Sequence, residues 1–233
     1  VEFCFQIIIQ QHIALRKNAF NGRNDFFSVE NIFLYLNDNI YQLHQKKNNL
    51  HLFKKNTMIL AFGASASKNS INKTFEHYTA KQFEGKELDL IDLLDFSAPL
   101  FTVDLEKEIG NPPVVLQLKE RIDRADLIII SLAEHNGSYT AWFKNLFDWL
   151  SRVDSKFLQD KKVLLLSTTP GGRGAKSVLA TALDRFPRHG AHILHSYSLP
   201  NFKENFDPEQ GITDAVLNQE YQEILRSVKA NIN

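Results

Sequence analysis

The run Ile59-Leu60-Ala61-Phe62-Gly63-Ala64-Ser65-Ala66-Ser67-Lys68-Asn69-Ser70-Ile71-Asn72-Lys73-Thr74-Phe75 decides how the rest of the chain is read. It begins as an apolar strand ending at Gly63, passes through a loop holding three serines, and enters a helix for which Ser70 is a good N-cap. A strand that feeds a serine-rich loop at a helix N-terminus makes an anion site. Unpaired N–H groups and the positive end of the helix dipole face the loop, and hydroxyls add donors. A phosphate is the natural occupant. The same residues also suit an ordinary βα turn with a capped helix.

Composition narrows the partners. The chain has 233 residues, room for one α/β domain plus an appendage. Lys and Arg together number 27, as do Asp and Glu, so the net charge is zero and nucleic acid is not an expected partner. One cysteine, Cys4, excludes an internal disulfide framework and suits a reducing compartment. No run approaches the ~20 apolar residues of a membrane span, and Val1 to Ile9 makes a poor signal peptide. A cytoplasmic protein is expected.

Residues 1–57 differ from the rest of the chain. They are rich in Asn, Phe, Ile, Gln and Lys, and their short apolar pieces keep no period. The only methionine is Met58, directly before the first strand. The expected division is an N-terminal extension over 1–57, either disordered or upstream sequence translated from a misplaced start, and a folded domain over 58–233.

From Met58 the pattern alternates. Strands are predicted at Met58–Phe62, Glu87–Leu94, Ala125–Leu132, Lys162–Ser167 and Ala191–Tyr197. Helices are predicted at Ser70–Phe83, after Pro112-Pro113, at Thr140–Val153, Ala175–Phe186 and Asp214–Ala230. The unbroken apolar run of the third strand suits a central parallel strand covered on both faces. Five strands with intervening helices predict a doubly wound parallel sheet. Such sheets bind ligands beyond their carboxyl ends, where the winding reverses. The loops after strands one, three and four should therefore converge: the serine loop, Ala133-Glu134-His135-Asn136-Gly137-Ser138-Tyr139-Thr140, and Ser167-Thr168-Thr169-Pro170-Gly171-Gly172-Arg173-Gly174. The absence of G-x-G-x-x-G after strand one argues against a dinucleotide-binding Rossmann domain and suits a mononucleotide.

Three segments resemble the NADPH-dependent FMN reductase family of flavodoxin-like enzymes, which also includes quinone, azo and chromate reductases. Ala64 to Asn72 is similar to the family's G-S-x-R-x-x-S-x-N phosphate loop. Ala133 to Ser138, followed by Phe143-Lys144-Asn145-Leu146-Phe147-Asp148-Trp149, resembles P-E-Y-N-x-S and L-K-N-x-I-D-W. Ser167 to Gly172 is similar to S-x-S-P-G-G. The likeness covers about residues 58–230.

The resemblance implies a flavodoxin-like five-stranded sheet of order 2-1-3-4-5 with helices on both faces, bound FMN, and NADPH or NADH as co-substrate. It implies that Ser65, Ser67, Ser70, Ile71 and Asn72 hold the FMN phosphate. Glu134, His135, Asn136 and Gly137 would line one edge of the isoalloxazine, and Thr169, Pro170, Gly171, Gly172 and Arg173 another. Three positions depart from the pattern: Ser67 replaces the family's arginine, with Lys68 beside it as a substitute, His135 replaces tyrosine, and Ala133 replaces proline. The flavin carries the chemistry, so no side chain is expected to act as a general base. No His is placed at metal-ligand spacing. The expected activity is hydride transfer from NAD(P)H through FMN to a flavin, quinone, azo or similar small-molecule acceptor. A non-enzymatic flavodoxin-like electron carrier is the alternative, disfavoured by the zero net charge. The helix Trp142–Val153 is apolar on nearly all sides, so one stripe is expected to remain exposed and form a homodimer or homotetramer interface.

Overall fold

The computed structural model describes residues 57–232. Apart from Thr57, the extension expected over residues 1–57 lies outside the described residues. Nine strands and seven α-helices occur in order among the described residues. They are β1 (Met58–Ala64), α1 (Ile71–Lys81), β2 (Glu87–Leu90), α2 (Val103–Ile109), α3 (Pro113–Arg124), β3 (Leu127–Leu132), β4 (Glu134–His135), β5 (Ser138–Tyr139) and α4 (Ala141–Val153). Then come β6 (Lys162–Thr168), α5 (Lys176–Arg185), β7 (His192–Leu199), α6 (Phe202–Asn205), β8 (Phe206–Asp207), β9 (Gly211–Ile212) and α7 (Ala215–Ile232).

The main sheet has order β2-β1-β3-β6-β7 and is parallel throughout. This is the expected 2-1-3-4-5 order, with β6 and β7 as the fourth and fifth long strands. The chain winds one way from β1 to β2 and the other way from β3 to β7, so the switch point lies between β1 and β3. Strand alternation divides the core in two. Leu60, Phe62, Ile128, Ile130 and Leu165 face α3, α4 and α5, while Ile59, Ala61, Ile129, Leu164 and Leu166 face α1 and α7. Helices thus cover both faces, which is why β3 and β6 read as continuous apolar runs.

Several connections carry structure that no apolar period announces. The stretch from Pro99 to Gly110, for which no helix is predicted, contains α2, capped by Thr102. Strand two stops at Leu90, and Asp92 caps a 3-10 turn over Leu93–Asp95. Asp92 also pairs with Lys73 of α1, and the ammonium group holds its carboxyl below the ordinary value. Asp92 is therefore a structural group that ties α1 to the end of β2.

The exposed apolar stripe expected on α4 is covered by the chain itself. The indole N–H groups of Trp142 and Trp149 donate to Leu93 O (2.8 Å) and Pro99 O (2.7 Å). Asn145 accepts from Phe101 N (2.8 Å) and donates to Ala98 O (3.1 Å). Phe101 packs edge-on against Trp149, which is fully buried. Segment 93–101 thus occupies the face on which a partner chain is expected. The polar atoms of the indoles and of Asn145 catch backbone groups of a segment that has no ladder of its own. The charged residues of the segment resembling L-K-N-x-I-D-W have a plainer role, since Lys144 and Asp148 form an i,i+4 ion pair on the outer surface. Among the described residues no helix is long and apolar enough to cross a membrane.

One buried carboxyl stands out. The Glu76 side chain on α1 has no exposure, and its Oε2 meets His77 Nδ1 at 2.8 Å. Its Oε1 has no partner among the described residues. Burial pushes its carboxyl up to about 7, against the milder opposing pull of His77 and Lys73. The native state thus holds a proton that the unfolded chain releases above pH 4.5. Stability is expected to fall as pH rises from 4.5 to about 7, by on the order of 3 kcal/mol, and to level off above that. In urea unfolding measured from pH 4.5 to 8, Glu76→Gln should lose this fall and exceed the parent in stability at pH 8.

Candidate active site

The three expected loops meet at the carboxyl edge of the sheet. Register sets them level, because Ala64 pairs with Leu132, Leu132 with Ser167 and Thr168 with Leu199. Side chains then tie them together. Thr140, the N-cap of α4, donates to Ala64 O at the end of β1 (3.1 Å). Asn72 on α1 donates to Thr168 O (3.1 Å), and its Oδ1 accepts from Thr168 N (3.1 Å) and Ser131 Oγ (2.8 Å).

The serine loop has the geometry of an anion cradle. Gly63 brings α1 unusually close to β1: a Cβ there would lie 2.7 Å from Lys73 N and 2.8 Å from Lys73 Cα. Backbone cannot yield as a flexible side chain can, so only glycine permits this approach. Ser70 caps α1, its Oγ accepting from Lys73 N (3.4 Å). Ser65 Oγ accepts from Ser67 N (3.2 Å). Among the described residues neither hydroxyl donates a hydrogen bond of its own. Among the described residues the backbone N–H groups of Ile71 and Asn72 have no acceptor, so the first turn of α1 presents free donors and its dipole to the loop. Ser67 and Lys68 are exposed beside it, and Lys68 has no ion-pair partner among the described residues.

The loop after β3 is a β-hairpin. Glu134-His135 pairs with Ser138-Tyr139, and Asn136 (φ 53°) with Gly137 (φ 77°) makes the two-residue connection. Both central residues have positive φ, as a type I′ turn requires, and Asn-Gly is its favoured sequence. His135, Asn136 and Gly137 are exposed at the rim. The loop after β6 runs through exposed Pro170, Gly171, Gly172 and Arg173, with Thr169 half-buried. Its backbone is held by Asn201 N to Gly171 O (3.0 Å) and Phe202 N to Thr169 O (3.0 Å). Gly174 O accepts from Ser167 Oγ (2.7 Å) and Ser198 Oγ (2.8 Å). Among the described residues the Arg173 guanidinium donates only to the Ser177 hydroxyl (3.1 Å).

Two expected ligand contacts have other roles in this structure. The Asn72 side chain is buried in the sheet, with its oxygen and one N–H engaged, so it fastens α1 rather than reaching into the phosphate loop. Glu134 turns away from the rim: its Oε2 accepts from Val178 N (2.9 Å) in the first turn of α5. The cap residue of α5 is Ala175, at φ 60° with no capping side chain, so Glu134 supplies the missing acceptor and opposes the helix dipole. Neither role has a signal in the local sequence, since both partners lie far along the chain. Thr140, Ser131 and Asn201 also shape the site. Thr140 was readable as a cap before α4, whereas Ser131 sits silent inside an apolar strand.

A flavodoxin-like α/β sheet thus carries a serine-lined helix N-terminus and two glycine-bearing loops at its switch-point edge. Residues 57–205 match the NADPH-dependent FMN reductase family, and the chain belongs to that family and to its class of oxidoreductases. Over 181 residues it is 29% identical to an NADPH:quinone oxidoreductase of Arabidopsis thaliana, covering 71% of this chain and 89% of that one. Over 153 residues it is 29% identical to an uncharacterized protein of Mycoplasma pneumoniae, covering 64% of this chain and 90% of the relative. Among solved structures it resembles the flavoenzyme NAD(P)H:(acceptor) oxidoreductase FerB of Paracoccus denitrificans. The TM-score is 0.61 at 24% identity, covering 75% of this chain and 96% of that one.

Replacing Asn72 with alanine leaves Ser131 Oγ and both backbone groups of Thr168 short of a partner in a buried place. Chemical denaturation should show a loss of roughly 2–3 kcal/mol. Any weakening of anion binding in this variant should come from displaced loops and not from a missing contact.

Proposed function

We propose that the protein binds FMN at this edge and passes a hydride from NADPH or NADH to a small-molecule acceptor such as a flavin, a quinone or an azo compound. The observation that carries this reading is the pair of free N–H groups at Ile71 and Asn72, set among Ser65, Ser67, Lys68 and Ser70 and tied to two glycine-bearing loops. These donors suit a phosphate dianion. Ser65 and Ser70 would donate their free protons to it, and Lys68 would supply the charge that the family places one residue earlier, where Ser67 stands here. His135, Asn136 and Gly137 on one side, and Thr169 to Arg173 on the other, would present backbone groups to the ring. Asn72 and Glu134 hold these loops in place from behind.

When bound, FMN supplies the hydride-accepting ring. The chain's own part is to bind, orient and leave one ring face open to reactants. No side chain at the rim is required to move a proton. The open face sets few demands on the acceptor beyond flatness. Its expected place of action is the cytoplasm, where reduced nicotinamide nucleotides are available.

Purified protein reconstituted with FMN should show oxidised-flavin absorption that bleaches on adding NADPH or NADH. Lys68→Ala should weaken FMN binding by about tenfold, and Ser67→Arg should strengthen it, because a hydrogen bond to a charged group is worth roughly 1.5–3 kcal/mol. Unchanged affinity in both would move the phosphate elsewhere.

We also propose that the protein assembles as a homodimer or homotetramer. The support differs from that expected of α4, whose second face is covered. It rests on Leu100 (77% exposed), Val103, Ile109 and Leu116, large apolar side chains that remain exposed along one segment. Light scattering at micromolar concentration should give a mass of at least two chains, and Leu100→Asp with Val103→Asp should lower it to one.

A further inference from the structure

Asn201 lies just beyond the carboxyl end of β7, between Pro200 and α6. It is one of four non-glycine residues with positive φ among those described, at φ 47° and ψ 55°. Its backbone is fully engaged: the N–H donates to Gly171 O (3.0 Å), and the carbonyl accepts from Glu204 N (2.9 Å) and Asn205 N (3.0 Å). Its carboxamide, by contrast, makes no hydrogen bond among the described residues and is half-buried against Gly172. A Cβ on Gly172 would lie 3.6 Å from Asn201 Oδ1 and 4.0 Å from Nδ2. The missing side chain at Gly172 therefore leaves open the space that the carboxamide borders. Gly171 beside it has nothing within 4 Å of its own Cβ position.

A donor and an acceptor held side by side, at a gap left by glycine, match an edge that offers the same pair in reverse. The pyrimidine ring of a flavin has such an edge, with an imide N–H between two carbonyl oxygens. We propose that Asn201 is a further cofactor-binding residue whose carboxamide pairs with the imide edge of FMN across Gly172. This rests on the reading of the site as a flavin site. A purely backbone role makes a different demand. Asparagine tolerates the left-handed region, but glycine enters it at less cost, so a residue kept only for its backbone could be replaced by glycine without loss.

The test is FMN binding to the full apo chain, measured by quenching of flavin fluorescence. Asn201→Gly keeps the backbone preference and removes the carboxamide. It should raise the FMN dissociation constant about tenfold while leaving the thermal midpoint of the apo protein unchanged. N3-methyl-FMN, which lacks the imide proton, should bind the parent about tenfold more weakly than FMN, and should bind Asn201→Gly with little further loss. Should Asn201→Gly fold poorly, Asn201→Asp retains the shape and the acceptor but removes the donor, and it should weaken FMN binding while still discriminating against N3-methyl-FMN. Equal FMN affinity in parent and variant, or independent losses from methylation and substitution, would overturn the role of Asn201 while leaving the flavin site standing. A parent protein that binds no FMN would overturn both.

Discussion

The site depends on the buried carboxamide of Asn72. A helix packed on a parallel sheet by apolar contacts alone can slide, because dispersion and hydrophobic burial have little direction. Asn72 removes that freedom at the first turn of α1 by bonding Ser131 on β3 and both backbone groups of Thr168 at the end of β6. Gly63 sets the distance, since only a missing Cβ lets the backbone of Lys73 come so near β1. One contact fixes the helix along the sheet and the other fixes its height. Together they leave the N–H groups of Ile71 and Asn72 facing outward with nothing to bond within the described residues.

The remaining loops obey the same requirement, that backbone near an open edge be held by side chains where no ladder is available. Thr140 holds the end of β1, Glu134 caps the start of α5, and Ser167 and Ser198 converge on Gly174 O. A Cβ on Gly174 would fall 2.2 Å from Ser198 Oγ, so glycine is needed there for space as well as for its positive φ. These polar links rigidify a rim that must stay open. Their consequence for chemistry is that the loops are set before any ligand arrives, which lowers the ordering cost of binding.

On the outer layer, the aromatic residues of α4 were available either to a second chain or to a segment of this one. Segment 93–101 takes them, because two indole N–H groups and a carboxamide can satisfy its carbonyls while Phe101 fills the space against Trp149. The apolar surface is thereby relocated rather than abolished, and it reappears at Leu100 and Val103.

The alternation of apolar strands with helical periods, the cap at Ser70, the prolines before α3 and the three loop motifs were all local, and they determined the sheet, its order, the family and the edge where three loops meet. The cap at Ser70 and the free N–H at Ile71 were legible for the same reason, since a capped helix after a strand has one geometry. The contacts of Glu134 and Asn72 were not legible because a carboxylate or carboxamide in a binding motif looks the same whether it faces a ligand or a distant backbone group. Helix α2, the hairpin β4–β5 and the turn at Asn201 were missed because they are short and are held by partners elsewhere in the chain. Sequence alone therefore determined the long strands and helices and which loops meet at one edge of the sheet. Only the tertiary structure decided which polar groups remain free to meet a ligand, because a hydrogen bond between residues such as Asn72 and Thr168, 96 positions apart, exists only once the sheet has brought them together.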